Sequence, residues 1–335
     1  MMETVYLENN IAGHHRVRAI LDRFPDATII PCGNYGEIFN RKAQNFRLQK
    51  KQPALILAEK FDHHVLAAPA EFGIGSINNY YFSHMLNCLY DCRYCFLQGM
   101  YRSAHYVLFV NYEAFAEAII SATAKHPGET CHFFSGYDCD SLALEPVTGF
   151  CDYILPVFSA YPDALLELRT KSTQVRSLLK TRPIDNCIVA FSLSPDSVAS
   201  ALEHKAPGIG SRIKAMLQLQ RHGWQIGLRF DPLIYQTGFE AEYDRLFEQV
   251  FSSLDQDLIH SVSLGSFRLP AAFFRKITDL YPEERLFASP LIAETGMISY
   301  PATIKKVLLS HCRDKILGYI PEHKFFPCEP LPRIA

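Results

Sequence analysis

No stretch of this 335-residue chain reaches the roughly 18 uninterrupted apolar residues that a membrane-spanning helix needs. The best run, LLSHCRDKILGYI, is broken by charge, so no membrane association is expected. Neither sign of charge is in excess: 33 Lys and Arg stand against 35 Asp and Glu, a net charge of −2. That excludes a global basic field for nucleic acid, and any such binding would need a local patch. The 17 Gly and 20 Pro follow no period, and repeats, low-complexity tracts and blocks of like charge are missing. Collagen-like, fibrous and disordered classes are thereby excluded. The first twenty residues, MMETVYLENNIAGHHRVRAI, carry acids early and lack the apolar core of a secretory signal. A cytoplasmic protein is expected.

What is present is core material and cysteine. Apolar residues make up 48% of the chain, enough for about two domains or one barrel-sized unit with extensions. Ten cysteines are many for a reducing compartment, where they serve as metal ligands, catalytic thiols or small buried hydrophobes more often than as disulfides.

The first 75 residues are mixed. A strand is expected around Val5–Leu7, helical spacing through Val17, Ile20, Leu21 and Phe24, and a buried strand at Ala54–Leu57. EFGIGSIN then reads as a linker or turn. From about Ile77 a regular alternation begins: the strands INNYYFS, TCHFFS, ALLELRT, NCIVAFSL, WQIGLRF and HSVSLGS are separated by helix-length segments. Six such units argue for a parallel sheet. The expected fold is α/β, a partial (β/α)6 TIM-like barrel, although periodicity alone also permits an open doubly wound sheet. Residues 1–76 form an N-terminal cap region, 77–265 the core and 266–335 a C-terminal extension.

The sharpest signal lies in the first βα loop, SHMLNCLYDCRYCFLQGMY, with Cys88, Cys92 and Cys95 in C-x3-C-x2-C spacing. At this cysteine content, two more at set offsets arise by chance about once per thousand starting cysteines. Three thiolates on one tight loop suit three irons of a 4Fe–4S cluster and leave the fourth iron open to a small molecule. A structural zinc site is the competing reading, with His84 as the fourth donor.

C-x3-C-x2-C with the aromatic Tyr94 before the last cysteine resembles the radical S-adenosylmethionine superfamily. The resemblance implies an open iron that chelates S-adenosyl-L-methionine and a 5′-deoxyadenosyl radical that abstracts hydrogen. It narrows further. VYLE, CRYCFLQ with a following VNYE, FFSGYDCDSLALEPVTG, LRTKS, FSLSPD and PGIGSRIKA…G…GLRFDPLIY are similar, in order and spacing over about residues 4 to 285, to the spore photoproduct lyases. That family implies a partial barrel, a covalently cross-linked thymine pair in DNA as substrate, DNA repair as the outcome, and a flavodoxin- or ferredoxin-type electron donor. By resemblance, Tyr94, Ser135, Gly136, Lys171 and Ser192 contact the cofactor, each at or beside a strand end. That is where a barrel places its site.

Three departures stand out against the family pattern. The lyases carry a hydrogen-donating cysteine where this chain has Tyr137, with Cys139 two residues on. They carry a tyrosine directly after the third cluster cysteine, where this chain has Phe96. Their basic C-terminal hairpin corresponds here to LFASPLIAETGMISYP, which holds Glu294 and no base; phosphate contacts supply most of a DNA binder's affinity. Tyr137, Cys139 and Tyr94 are therefore the candidate hydrogen-transfer residues. The reading is a radical S-adenosylmethionine enzyme, a paralogue with altered substrate. The alternatives are a DNA photoproduct lyase with a different hydrogen donor, and a non-catalytic iron–sulfur protein for electron transfer or redox sensing. The pairs His14–His15 and His63–His64 chelate poorly as neighbours, and Cys312 with Cys328, His311 and His323 could form a second metal site. Asp138 and Asp140 could hold substrate or cap a turn.

Overall fold

The computed structural model describes residues 2–69 and 73–328; the Glu71–Phe72 start of the expected linker lies outside the described residues. Buried, branched and aromatic runs form two large sheets, beside a two-stranded and a three-stranded one. The first has five strands in the order Thr28–Cys32, Thr4–Glu8, Leu55–Ala58, Tyr106–Phe109 and Met85–Leu86. The first four run parallel and Met85–Leu86 pairs antiparallel. Its central strand, Leu55–Ala58, is buried throughout, as its LILA sequence requires. Two of its strands, Met85–Leu86 and Tyr106–Phe109, come from either side of the cysteine segment, so the N-terminal sheet holds that segment by both ends.

The second sheet is an open, curled half-barrel of eight strands. Six strands supply its centre in chain order: Asn78–Phe82, Cys131–Ser135, Ala164–Thr170, Cys187–Ser192, Gln225–Leu233 and Ile259–Ser266. All six are parallel, as the alternation with helices implies. Two edges complete it. Leu66–Ala67 adds antiparallel at one side, and Phe325–Pro327 returns from the C-terminal segment to pair parallel with the sixth strand. The intervening helices match the helical spacing: Tyr112–Thr123, Phe150–Ala160, Ile209–His222 and Phe239–Ser253. Helix Ile209–His222 stops at Gly223, whose φ of 104° only glycine takes readily.

Successive strand residues face opposite sides. Phe133 packs edge-on against Phe158 of the covering helix, and Phe230 against Phe247, so these residues face outward into apolar packing. The other face is polar. His132, Glu167, Arg229 and Ser261 meet inside the curl, with Arg229 bonded to both oxygens of Glu167 at 3.1 and 2.7 Å and to Ser261. Arg169 adds a further contact to Glu167 at 3.0 Å. Burial alone would raise the Glu167 carboxyl, but Arg229 and Arg169 outweigh it and hold it well below the usual carboxylate range. An unpaired charge at this depth would cost several kcal/mol, on the order of 3–5, so the group stands or falls together.

Candidate active site at the mouth of the half-barrel

The cysteine segment crosses the C-terminal ends of the barrel strands and is fixed from three directions. From its own base, Asn87 takes a φ of 67° and donates its side-chain amide to the carbonyls of Ser103 and His105, both at 2.7 Å. From the C-terminal side, Tyr281 donates to Gln98 at 2.8 Å, and the Arg93 guanidinium lies 3.9 Å over the Tyr281 ring while pairing with Asp91 at 2.8 Å. Gly99 allows helix Leu97–Met100 to rest on Phe273: a Cβ there would fall 2.5 Å from the Phe273 carbonyl oxygen. From the fourth strand, the short strand Glu203–His204 pairs antiparallel with Asp91–Cys92.

Cys88, Cys92 and Cys95 are unoxidised thiols; Cys92 is buried and the others half-buried. The Cys95 amide donates to the Cys92 carbonyl at 3.1 Å, folding the segment into a turn. The Cys88 sulfur accepts from the Tyr90 amide at 3.4 Å. Burial pushes all three thiols up, Cys92 to about 12, and for Cys88 the neighbouring Asp140, Cys92 and Cys95 add to it. Burial raises Cys151 and Cys187 in the same way; what sets this loop apart is that Cys88 feels both of the other sulfurs, a grouping that suits a cluster ligand set. No three His, Cys, Asp or Glu side chains among the described residues are arranged to hold one metal ion. A zinc site needs donors converging on one point, whereas a 4Fe–4S cluster spreads its thiolates over separate irons. His84, the fourth donor of the zinc reading, is instead stacked on Phe150, ring centroids 4.0 Å apart at 2°. Burial lowers it to about 3.

The remaining cofactor-side residues stand around the same mouth. Gly136 takes a φ of 80° as the second strand ends, and a Cβ would meet Ser141 Oγ at 2.5 Å. Ser135 is 1% exposed and its hydroxyl is without a hydrogen-bond partner. Lys171 Nζ lies 5.5 Å from the Tyr94 ring centroid, and its backbone amide donates to Asp140 at 2.7 Å. Burial alone would lower Lys171, but the Cys92 sulfur and the Glu203 carboxylate outweigh it and hold the ammonium above its usual range. The Ser192 carbonyl accepts from Arg212 at 2.9 Å. Asp140 serves the turn as well, accepting from the amides of Leu142 and Ala143 and from the Thr170 hydroxyl.

Residue spacing carries no sign of Glu203 and Arg212. Glu203 is 3% exposed and accepts from the Tyr94 hydroxyl, the Ser194 hydroxyl and the Arg212 guanidinium. Burial would raise its carboxyl; Lys171 and Arg212 outweigh that and hold it below the usual range. Tyr94 therefore spends its hydroxyl on a buried acid, and burial with that acid pushes the phenol well up.

Across the mouth the candidate hydrogen donors separate. Tyr137 is half-buried between Phe96, 5.5 Å away by ring centroids, and Tyr81, 4.4 Å away. Cys139 is packed into the core, and burial, Asp138 and Asp140 push its thiol well above the usual range. The hairpin Ile292–Glu294/Met297–Ser299 turns through Thr295 and Gly296, both at positive φ, and Glu294 is exposed beside the turn. Of the other candidates, the His14 and His15 rings stack on one another and His14 caps a helix. Buried Cys312 sits in helix Ala302–Leu317, whereas Cys328 continues the edge strand of the half-barrel.

Comparison with known proteins places the fold and the family. The spore photoproduct lyase family model matches residues 76–289. Spore photoproduct lyase of Bacillus subtilis (strain 168) is 25% identical over 202 residues, and that of Geobacillus sp. (strain Y412MC61) 24% over 205 residues; each match spans 59% of this chain and 59% of the relative's length. Among solved structures, a spore photoproduct lyase mutant with bound AdoMet and dinucleoside spore photoproduct superposes with a TM-score of 0.85 at 17% identity, covering 98% of each chain. Spore photoproduct lyase complexed with dinucleoside spore photoproduct gives 0.85 at 16%, again over 98% of each. The shared fold spans both sheets, and the family match takes in the cysteine loop, all six central strands and more than half of the chain. This chain belongs to the spore photoproduct lyase family.

Proposed function

We propose that the chain is a radical S-adenosylmethionine enzyme whose substrate differs from that of the DNA photoproduct lyases. The observation that carries this reading is the meeting of Cys88, Cys92 and Cys95 with Lys171 and the Ser135–Gly136 and Ser192 strand ends at one mouth. Cys88, Cys92 and Cys95 would hold a 4Fe–4S cluster, and Tyr94, Ser135, Gly136, Lys171 and Ser192 would hold S-adenosyl-L-methionine. Bound together, the two supply a one-electron cleavage that generates a hydrogen-abstracting radical; a flavodoxin- or ferredoxin-type donor would provide the electron.

The residues do the rest. Lys171, kept charged, attracts a carboxylate. The unpartnered Ser135 hydroxyl and the close approach at Gly136 admit a polar ligand. The aromatic wall of Tyr81, Tyr137 and Phe96 limits water at the substrate side. Tyr137 is the better hydrogen donor, because its ring lines the mouth, whereas the Cys139 thiol is packed away and Tyr94 is committed to Glu203. The altered substrate rests on Tyr137, Phe96 and the acid-bearing hairpin, all on the substrate side.

The test is an anaerobic incubation with dithionite, S-adenosylmethionine and DNA bearing spore photoproduct, in which 5′-deoxyadenosine and restored thymine are both quantified. The expected result is 5′-deoxyadenosine without thymine. Restored thymine would make the chain a DNA lyase with a rewired hydrogen donor, and Tyr137→Phe should then abolish repair while leaving cofactor cleavage. Absence of both products would sink the enzymatic reading.

A further inference from the structure

Glu203 stands directly opposite Cys92 in the antiparallel pair formed by Glu203–His204 and Asp91–Cys92. Directly opposed residues of such a pair project to the same face with their Cβ atoms about 4.5–5.5 Å apart. The register therefore sets a carboxylate beside a candidate cluster thiol. Both residues are buried, at 3% and 6% exposure, so little water screens one from the other. The carboxylate is fully engaged by Tyr94, Ser194 and the fully buried Arg212, which keeps it charged. Arg212 meets the carboxylate at Oε2, the oxygen that Tyr94 and Ser194 leave free, and spends its other nitrogens on the Ser192 and Pro207 carbonyls.

Resting on the proposed function, we infer that Glu203 is a positioning residue that holds one negative charge against the Cys92 sulfur and so keeps the reduction potential of the cluster low. Adding an electron makes a cluster more negative. A fixed anion a few ångström away in a low-dielectric setting makes that addition costlier. Charge and hydrogen bonding next to the cluster sulfurs are the protein's means of setting such potentials. A low potential is what reduction of a sulfonium demands, so the residue would serve the first electron transfer without touching substrate. The Tyr94 hydrogen bond then has a second meaning: it anchors the carboxylate to the same loop as the thiol.

The experiment is an EPR-monitored redox titration of the full-length protein, reconstituted anaerobically with iron and sulfide, in wild type and Glu203→Gln. The glutamine keeps the volume and can accept from Tyr94 but carries no charge. With iron content unchanged, the reduced-to-oxidised ratio at the wild-type midpoint should rise at least tenfold, which is about 59 mV for one electron. Glu203→Asp, which keeps the charge, should return the ratio most of the way to wild type; a purely packing role predicts that shortening the side chain does no better than Gln. Should Glu203→Gln fail to take up iron, the double variant Glu203→Gln/Arg212→Met removes the buried pair together, an exchange that proteins tolerate. It should still titrate above wild type. A wild-type cluster whose potential ignores these changes overturns this inference alone. A wild-type protein that assembles no cluster overturns it together with the proposed function.

Discussion

The cysteine loop and the hairpin at Ile292–Ser299 both border the mouth of the half-barrel, and they are held in opposite ways. The loop is gripped by the N-terminal sheet, by the short strand Glu203–His204, by the bond from Tyr281 to its Gln98, and by the Glu203–Arg212 pair. Among the described residues the hairpin pairs only with the three-residue strand Arg268–Pro270, and its Ile292, Ala293 and Glu294 are all exposed. A change in the loop must be accommodated by buried partners that cannot move far, whereas a change in the hairpin is felt mostly by solvent. That contrast gives a physical reason for the kept cysteines and for the departure in the hairpin. Cys88, Cys92, Cys95 and Tyr94 lie on the gripped side. Glu294 lies where side chains can be exchanged cheaply, whereas the departures Phe96 and Tyr137 are half-buried and pack against each other, so they change as a pair.

The largest effect expected from this contrast is at Cys92. Cys92→Ala should reduce both iron uptake and 5′-deoxyadenosine formation to background, measured by iron content and mass spectrometry; retained cofactor cleavage would defeat the ligand assignment. Next comes His84, whose folded-state value of about 3 lies below its ordinary 6.5. The fold holds it neutral, so its contribution is fully present above pH 6.5 and is lost as pH falls toward 3. At about 1.36 kcal/mol per unit the loss is roughly 4–5 kcal/mol. His84→Phe, which retains a ring on Phe150, should flatten the fall in urea midpoint between pH 7 and pH 4; parallel curves for the two proteins would clear His84 of the effect.

Smaller again is Gly99→Ala. Its Cβ would collide with the Phe273 backbone, and overpacking of this kind costs about 1–3 kcal/mol. The drop in thermal midpoint should be accompanied by reduced iron retention, because the contact fixes the loop helix; a midpoint equal to wild type would mean the two helices separate freely. The smallest effect belongs to the exposed side. Glu294→Arg should leave stability unchanged and steepen the salt dependence of duplex DNA binding by about 0.9 per phosphate gained. An unchanged slope would show that the hairpin does not approach DNA at all.

Much of the fold around the mouth was legible in sequence because it depends on local spacing, whereas cofactor roles for Ser135, Gly136, Lys171 and Ser192 are implied by the family resemblance alone. C-x3-C-x2-C on one turn, strand ends at Ser135–Gly136, Thr170–Lys171 and Ser192, and six alternating units are all one-dimensional patterns. The strand Tyr106–Phe109 was not, because its partner Leu55–Ala58 lies some fifty residues earlier and its sequence, YVLF, suits any buried segment. The return of Phe325–Pro327 to the sixth strand was equally hidden, since a three-residue strand has no period to read. Glu203 sits at the end of a helix-like stretch, where an exposed acid is the ordinary expectation; only the pairing with Cys92 turns it inward.

The parallel α/β architecture is written in the recurrence of apolar strands and amphipathic helices, and the thiol-bearing loop in three cysteines within eight residues. The tertiary structure alone decided which polar groups are buried together. Glu167 with Arg229 and Arg169 inside the curl, and Glu203 with Arg212 and Tyr94 beside Cys92, join residues from different strands and helices. The physical reason is that a buried charge is tolerable only against its partner, and partnership across a folded sheet leaves no mark on the spacing of either residue.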